Sequence, residues 1–596
     1  MLPKSAVKVD YTRDSLFDEM GLRRLKDSYM HDGEESPQDR FAYIARMFGS
    51  NKEHAQRLYD YSSKHWLSYS TPILSFHKER GGMPISCFLA YIEDSASGLV
   101  DTMGEVAWLS IYGGGVGLGV GIRSEDTKSV GVMPHMKVYE AVSLAYRQGR
   151  TRRGSFAPYL DISHPNILEF VGMRRPTGDS NMRCLELHHG INVTDKFMQL
   201  IEQSMLDADC DDSWSLIDPH TQKVVEIISA RQLWESILEG SRMRTGEPFL
   251  HFIDASNRGL PEYQKRLGLK VTQSNICTEI TLATDKDRTA VCCLSSLNLV
   301  YWDVWKDNAQ FYHDVAEMLD NVLEYFIKKA PKTVKRAVYS AKRERAIGIG
   351  SLGFHALLQK KNIPFESALA TSVNLEIFKK YDKYTKRANK ALGETRGSNL
   401  DAIEGGHKQP ERFSHMLAIA PNATSSIIMG NTSPSIEPFR GNAYRQDTLS
   451  GLFLNKNPYL EDIINKRFSK ERADEIWSSI VANAGSVQHL TKEFSEWERD
   501  VFKTASEIDQ MWIIQHAADR QKYIDQSQSV NLFFKANTNI GYLHHVHFQA
   551  WKKGLKTLYY CRSDKIYHGE SVSKTATREE FKFTKTVEED CVACEG

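Results

Sequence analysis

No stretch constrains this chain more than Gln273-Ser274-Asn275-Ile276-Cys277-Thr278-Glu279-Ile280-Thr281-Leu282. If it is extended, Asn275, Cys277 and Glu279 leave one face, while Ile276, Thr278 and Ile280 leave the other. The apolar and β-branched types on the second face favour a strand. On the first face, a thiol, a carboxylate and an amide in one row offer a sulfur reactant, a base and an orienting group. The same letters suit a buried strand whose cysteine is only a small hydrophobe. Glu279 is the residue such a strand leaves unexplained, because carboxylates are rarely buried without a partner.

Composition narrows the setting. The chain has 596 residues, of which 41% are hydrophobic and 26% charged, the proportions of a soluble globular protein. Lys plus Arg and Asp plus Glu balance at 76 each, so no global field draws nucleic acid or an anionic membrane. No apolar run approaches a membrane span, and the first residues lack a signal-peptide core, so a cytoplasmic location is expected. Nine cysteines in so long a chain do not form a disulfide framework. Cys591-Val-Ala-Cys594 alone has close redox or metal spacing, and with only His568 nearby a redox pair fits better than zinc.

Residues 1–70 read as a helical packing domain, with Phe41, Ile44, Ala45 and Phe48 at helical spacing. From Thr71-Pro72 the chain turns to short apolar segments broken by glycine. Residues 85–92 suit a buried strand, and Glu93-Asp94-Ser95 can cap a helix over 96–111. The glycines of 113–121 predict an ordered loop whose amides approach a ligand, phosphate being the usual reason. Gly348, Gly350 and Gly353 match a dinucleotide fingerprint, but without a βαβ frame around them they are read as a chance match. Arg150, Arg152 and Arg153 among glycines suit an anion or a solvated turn equally.

A second apolar strand carries Cys292-Cys293, after a hairpin-like stretch from Thr284 to Thr289. Residues 420–427 place hydroxyls at a helix start, which suits either an anion site or an ordinary cap. His544, His545 and His547 lack partners of metal-binding spacing. Tyr559 and Tyr560 close the last apolar segment. Beyond about Asp564 the composition cannot bury a core, which leaves Cys591 and Cys594 at the end of a tether.

Taken together, these segments resemble the large catalytic subunit of class I ribonucleotide reductases, from about Tyr29 to the last residue. The resemblance rests on Ser70-Thr71-Pro72, Ser86-Cys87, the 113–121 glycines, Gln148-Gly149 with Thr151-Arg152-Arg153-Gly154, and Ser274 to Glu279. It continues through Cys292 to Ser295, Arg345 to Gly350, Pro421 to Ser426, Lys522 to Ser527 and Lys556 to Tyr560. It implies an α/β fold: a ten-stranded barrel of two five-stranded halves over 71–563, a helical domain over 1–70, and a flexible redox tail over 564–596.

The resemblance also implies roles. Cys277 would carry a thiyl radical on a loop inside the barrel and abstract the 3′ hydrogen of a ribonucleoside diphosphate. Glu279, assisted by Asn275, would take the 3′-hydroxyl proton, and Cys87 with Cys292 would supply the reducing equivalents. Cys293 stands where the family commonly has another residue, so it receives no role. Cys591 and Cys594 would reduce the inner pair by thiol exchange and be reset by thioredoxin or glutaredoxin. Tyr559 and Tyr560 would relay the radical from a metal-containing small subunit, with no metal or cofactor held in this chain. Substrate would meet Thr71, Ser86, Gly114, Gly115, Pro421, Ala423, Thr424 and Ser425. Deoxynucleoside triphosphates or ATP would act as effectors at Asp94, Ser95, Arg123 and Arg152, at a homodimer interface. The N-terminal ATP cone of many relatives is not expected, and an adenosylcobalamin-dependent reductase of the same fold is the alternative.

Overall fold

The computed structural model describes residues 1–79, 82–85, 87–146, 155–207, 209–448 and 451–563. Ser86, Arg152, Cys591 and Cys594, each assigned a role above, lie outside them, as does the proposed tail. Among the described residues no helix is long and apolar enough to cross a membrane.

Three helices open the chain: α1 (Glu19–Ser28), α2 (Pro37–Phe48) and α3 (Lys52–Ser63). Pro37 follows the N-cap of α2, where Ser36 and Asp39 form a reciprocal capping box. The spacing noted in the sequence holds, since Phe41, Ile44, Ala45 and Phe48 are all buried. These side chains join one continuous core with the apolar faces of the barrel, so the helices pack directly on it.

The barrel sheet has nine strands: β1 (Leu67–Tyr69), β2 (Cys87–Ile92), β3 (Gly115–Val120), β4 (Phe156–Asp161), β5 (Gly190–Val193), β6 (Phe249–Phe252), β7 (Ala290–Asn298), β8 (Ile347–Leu352) and β9 (Thr557–Leu558). From β2 to β6 five neighbours run parallel, forming one half. Their near-continuous burial is what a parallel sheet covered on both faces requires. β7 pairs antiparallel with β2 and parallel with β8, carrying the sheet into the second half. There the ladder continues only through single bridges, Ile349 with Leu417 and Ile419 with Gln528. Among the described residues the barrel sheet thus shows nine of the ten strands expected.

Helix α4 (Ala96–Ile111) starts where the sequence places it, with the Ser95 hydroxyl accepting the Gly98 N–H at 3.0 Å. Helices α5 (Val132–Ala145) and α6 (Ala309–Lys329) pack on the sheet's outer side. Residues 443–502 bury a separate small core around Leu460, Ile476, Trp477 and Ile480.

Two sequence expectations are corrected. The glycine run is not a loop, because residues 115–120 form strand β3 between β2 and β4. Glycine serves close approach here: a Cβ at Gly117 would lie 2.0 Å from the Ser274 carbonyl oxygen, and one at Gly119 would lie 2.5 Å from Gln273 Oε1. Gly114 makes room in the same way for the Phe88 ring. Conversely, none of 273–282 is in a strand. Residues 276–278 turn, the Asn275 carbonyl accepts the Thr278 N–H at 3.3 Å, and Thr278 takes a φ of 68°. A β-branched residue rarely adopts that backbone, so neighbouring contacts override its strand preference.

The dinucleotide-like glycines lie on β8 and its turn into a helix, so a strand–helix frame exists there after all. Gly348 and Gly350 face the Leu294 side chain and the Ala418 backbone, which accounts for them by packing.

Candidate active site

Residues 273–282 form a finger laid against β3 and stapled by its own side chains. Ser274 Oγ donates to the Ile280 carbonyl at 2.7 Å, and Asn275 Oδ1 accepts the Ile280 N–H at 3.1 Å. The Tyr159 hydroxyl on β4 donates to the Asn275 carbonyl at 2.7 Å, and Ser529 donates to the Cys277 carbonyl. Cys277 therefore sits on a fixed turn, 2% exposed, among Ala157, Tyr159, Phe249, Ile276 and Tyr559.

Although the strand geometry fails, the turn still brings Asn275 and Glu279 together. Asn275 Nδ2 donates to Glu279 Oε2 at 2.8 Å and to Cys87 Sγ at 3.4 Å. Cys87 Sγ in turn donates toward Glu279 Oε1 at 3.9 Å. Burial pushes the Glu279 carboxyl up to about 7, against hydrogen bonds from Asn275, its own backbone, Ser529 and Cys87 that pull it down. A carboxyl poised there can exchange a proton at neutral pH.

Cys87 and Cys292 face each other across β2 and β7 as register partners. Directly opposed antiparallel residues have Cα atoms about 4.5–5.5 Å apart, within the span a disulfide needs. Both are free thiols here. Burial holds the Cys292 thiol well above its ordinary value, with Cys293 and Cys87 adding to the shift, and Gln526 Nε2 donates to its sulfur at 3.7 Å. Cys293 points to the other face of β7, where its sulfur donates to the Leu319 carbonyl of α6 at 3.4 Å. Strand alternation thus separates two cysteines that the sequence left hard to tell apart.

Tyr559 and Tyr560 follow β9 with ring centroids 4.3 Å apart, tilted by 52°. Phe249 touches both, at 4.8 Å and 5.1 Å. Tyr559 belongs to the same buried cluster as Cys277, and Tyr560 packs on that cluster from outside.

The substrate candidates fall into two groups. Gly114 and Gly115 lead into β3 beside β2, Gly115 opposite Cys87. Thr71, at the start of the helix Thr71–Leu74, meets the Tyr29 hydroxyl at 3.1 Å. Pro421 precedes α7 (Ala423–Ile428), where Thr424 and Ser425 are buried and Ala423 is half-buried. Arg24 Nη2 on α1 donates to Thr424 Oγ1 at 3.4 Å. Helix α1 thereby links the two hydroxyl groups and brings a guanidinium that sequence reasoning did not single out.

Of the effector candidates, Asp94, Ser95 and Arg123 come together. Arg123 Nε lies 3.4 Å from Asp94 Oδ2 and 3.5 Å from Asp126 Oδ2, beside the N-terminus of α4. The turn of the hairpin 213–229 joins them unforeseen: Asp218 accepts from Ser124, and His220 Nδ1 lies 3.8 Å from Asp94 Oδ2.

A His54, Asp314 and Glu317 grouping has metal-like spacing, but Arg57 takes Asp314 at 2.6 Å and 2.9 Å and Arg396 takes Glu317 at 2.6 Å. It is an ion-pair node. Likewise His547 packs internally, with its Nε2 accepting from Arg242 at 3.1 Å.

Comparison with known proteins agrees with this architecture. The ribonucleotide reductase barrel-domain model matches residues 85–405 and 380–561, and the ribonucleotide reductase all-alpha-domain model matches 15–82. The chain belongs to the ribonucleotide reductase large-subunit family. It is 51% identical to the ribonucleoside-diphosphate reductase large subunit of Invertebrate iridescent virus 3, covering 99% of this chain and 100% of that relative. It is 32% identical to the ribonucleoside-diphosphate reductase large subunit of Trypanosoma brucei brucei, over 93% of this chain and 74% of that one. Among solved structures, the Actinobacillus ureae class Id ribonucleotide reductase alpha subunit superposes with a TM-score of 0.80 at 33% identity, covering 94% of this chain and 98% of that one.

Proposed function

We propose that the chain is the catalytic subunit of a class I ribonucleotide reductase, converting ribonucleoside diphosphates to their 2′-deoxy forms. The observation that carries this reading is the buried site in which Cys277 clusters with Tyr559 on a turn that also holds Asn275 and Glu279, bonded to each other and to Cys87. Enclosure suits radical chemistry, which must be kept from solvent.

In this reading a Cys277 thiyl takes the 3′ hydrogen of the sugar and Glu279 takes the 3′-hydroxyl proton, oriented by Asn275. The 2′ hydroxyl leaves as water after protonation by a thiol of the Cys87–Cys292 pair. That pair gives up two electrons and two protons in all and closes as a disulfide, and Cys277 then returns the 3′ hydrogen. Thr71, Ser86, Gly114, Gly115, Pro421, Ala423, Thr424 and Ser425 hold the substrate, with Arg24 added as a phosphate partner on the strength of its contact with Thr424.

The tyrosines, with ring centroids 4.3 Å apart, favour a relay from a radical-bearing small subunit over local generation by adenosylcobalamin. Cys591 and Cys594 carry electrons in from thioredoxin or glutaredoxin. Nucleoside triphosphates bind at Asp94, Ser95, Arg123 and Arg152, and two chains pair there. Exposed Val100 and Trp108 on α4 and Val138 and Leu144 on α5 support that pairing, since large apolar side chains left exposed on neighbouring helices suit an interface.

The test is deoxynucleotide formation with and without a class I small subunit. Product that needs the small subunit and is abolished by Cys277→Ser, with nucleotide binding kept, supports the proposal. Turnover with adenosylcobalamin alone, or unchanged turnover in Cys277→Ser, overturns it.

A further inference from the structure

A buried acid with no role so far lies beside Tyr560. Glu247 is 1% exposed, two residues ahead of β6, and is surrounded by donors. Its Oε1 lies 2.7 Å from His188 Nδ1 and 3.5 Å from Arg174 Nη1. Its Oε2 accepts the His189 backbone N–H at 3.0 Å and lies 3.3 Å from His189 Nδ1. Burial alone would raise this carboxyl, but Arg174, His188 and His189 reverse the effect and hold it well below the ordinary carboxylate range. An ionised Glu247 makes His188 Nδ1 the proton-bearing nitrogen, which fixes the tautomer and the plane of the ring.

The fixed ring faces Tyr560. His188 Nδ1 lies 3.4 Å from the Tyr560 phenolic oxygen, and the two rings meet edge to face at 6.2 Å. On the other side of the balance, the Arg562 guanidinium sits 4.6 Å over the Tyr560 ring. A cation there favours the electron-rich, reduced ring.

We propose that Glu247, acting through His188, is the positioning residue of Tyr560: it holds the phenol against Tyr559 and offsets the Arg562 charge, setting how readily Tyr560 is oxidised. The inference rests on the relay reading above. The step it tunes moves the equivalent of one hydrogen atom at a time. The small subunit's radical takes an electron and a proton from Tyr560, breaking its O–H bond, and is itself reduced. Tyr560 recovers both from the Tyr559 hydroxyl, which recovers both from the Cys277 thiol. Glu247 and His188 neither gain nor lose a proton.

The test uses the full chain with 3-nitrotyrosine in place of Tyr560, titrated by its visible absorbance without the small subunit. Glu247→Gln, nearly isosteric, removes a negative charge one imidazole away, so the phenol titrates about one unit lower. His188→Phe removes the polar ring that stands between the Glu247 charge and the phenol, so the phenol titrates higher. With Tyr560 native, Glu247→Gln lowers kcat about tenfold or more and leaves KM and effector binding unchanged. An unshifted titration in Glu247→Gln overturns the proposal, whether or not His188→Phe folds. The relay reading fails separately: if Tyr560→Phe turns over like the parent, the relay is wrong even where the titration shifts as expected.

Discussion

Changing Gly117 to alanine tests whether the turn that carries Cys277 is placed by β3. The added methyl would lie 2.0 Å from the Ser274 carbonyl oxygen, 2.8 Å from Asn275 Cα and 2.9 Å from the Ser274 carbonyl carbon. Every one of these atoms is backbone, so no rotamer change relieves the clash. Restoring even a tight contact of about 3 Å moves the finger or the strand by about 1 Å. Overpacking of this kind costs about 1–3 kcal/mol, which a large core survives. A displacement of about 1 Å at reacting groups costs about 10²-fold in rate. Asn275 and Glu279 ride on the finger together, so their contacts to Cys87 on β2, at 3.4 Å and 3.9 Å, are the ones that shift. The assay is deoxynucleotide formation at saturating effector with the small subunit present, alongside a thermal melt and effector binding. Gly117→Ala should melt within a few degrees of the parent, bind effector normally and turn over about 100-fold more slowly. Gly119→Ala should lose less, because its clash is with the end of the Gln273 side chain. Gly172→Ala, whose nearest atoms lie 3.6 Å away, should be nearly silent. Turnover of Gly117→Ala within threefold of the parent would refute the idea that this strand positions the turn.

Further expectations concern single groups. With Glu279 as the proposed proton acceptor, the single-turnover rate should rise with pH through about 7, and Asn275→Ala, which removes a bond that lowers that carboxyl, should move the rise to higher pH. Glu279→Gln should cost about 10²–10⁴-fold in that step while substrate binding is kept, as loss of a proton acceptor does. Cys292→Ser should abolish multiple turnovers and Cys293→Ser should not, because only Cys292 opposes Cys87; equal loss in both would contradict the pairing. Trp108→Glu on α4 should shift sedimentation toward a monomer and weaken triphosphate binding at the proposed effector site, since Trp108 lies on the helix that Ser95 caps. Cys591→Ser with Cys594→Ser should stop turnover with thioredoxin yet spare much of it with a small dithiol, and equal loss with both reductants would remove the shuttle role.

The sequence was most legible where local chemistry and burial agree. Ser95 caps α4 as expected, and residues 87–92 and 290–298 are buried strands, because cap and apolar run each have one good structural use. Both misreadings involve the same pair of segments. Glycine is poor in strands on average, and alternating β-branched residues are good there, so 113–121 reads as loop and 273–282 as strand. The structure reverses both for one reason. A strand stripped of side chains at Gly117 and Gly119 leaves the sheet a recess, and the segment that fills it has to turn rather than pair. That trade depends on contacts between residues more than a hundred positions apart, which no local pattern contains. The partners Tyr159, Ser529 and Gln526 were missed for the same reason, since each is an ordinary strand or loop residue until the barrel brings the first two to the turn and the third to Cys292. The polar side chains of the finger and the bare surface of β3 therefore form one device, and a glycine on the strand should matter to reactivity through the Ser274–Asn275 backbone it accommodates, although it touches no reacting group.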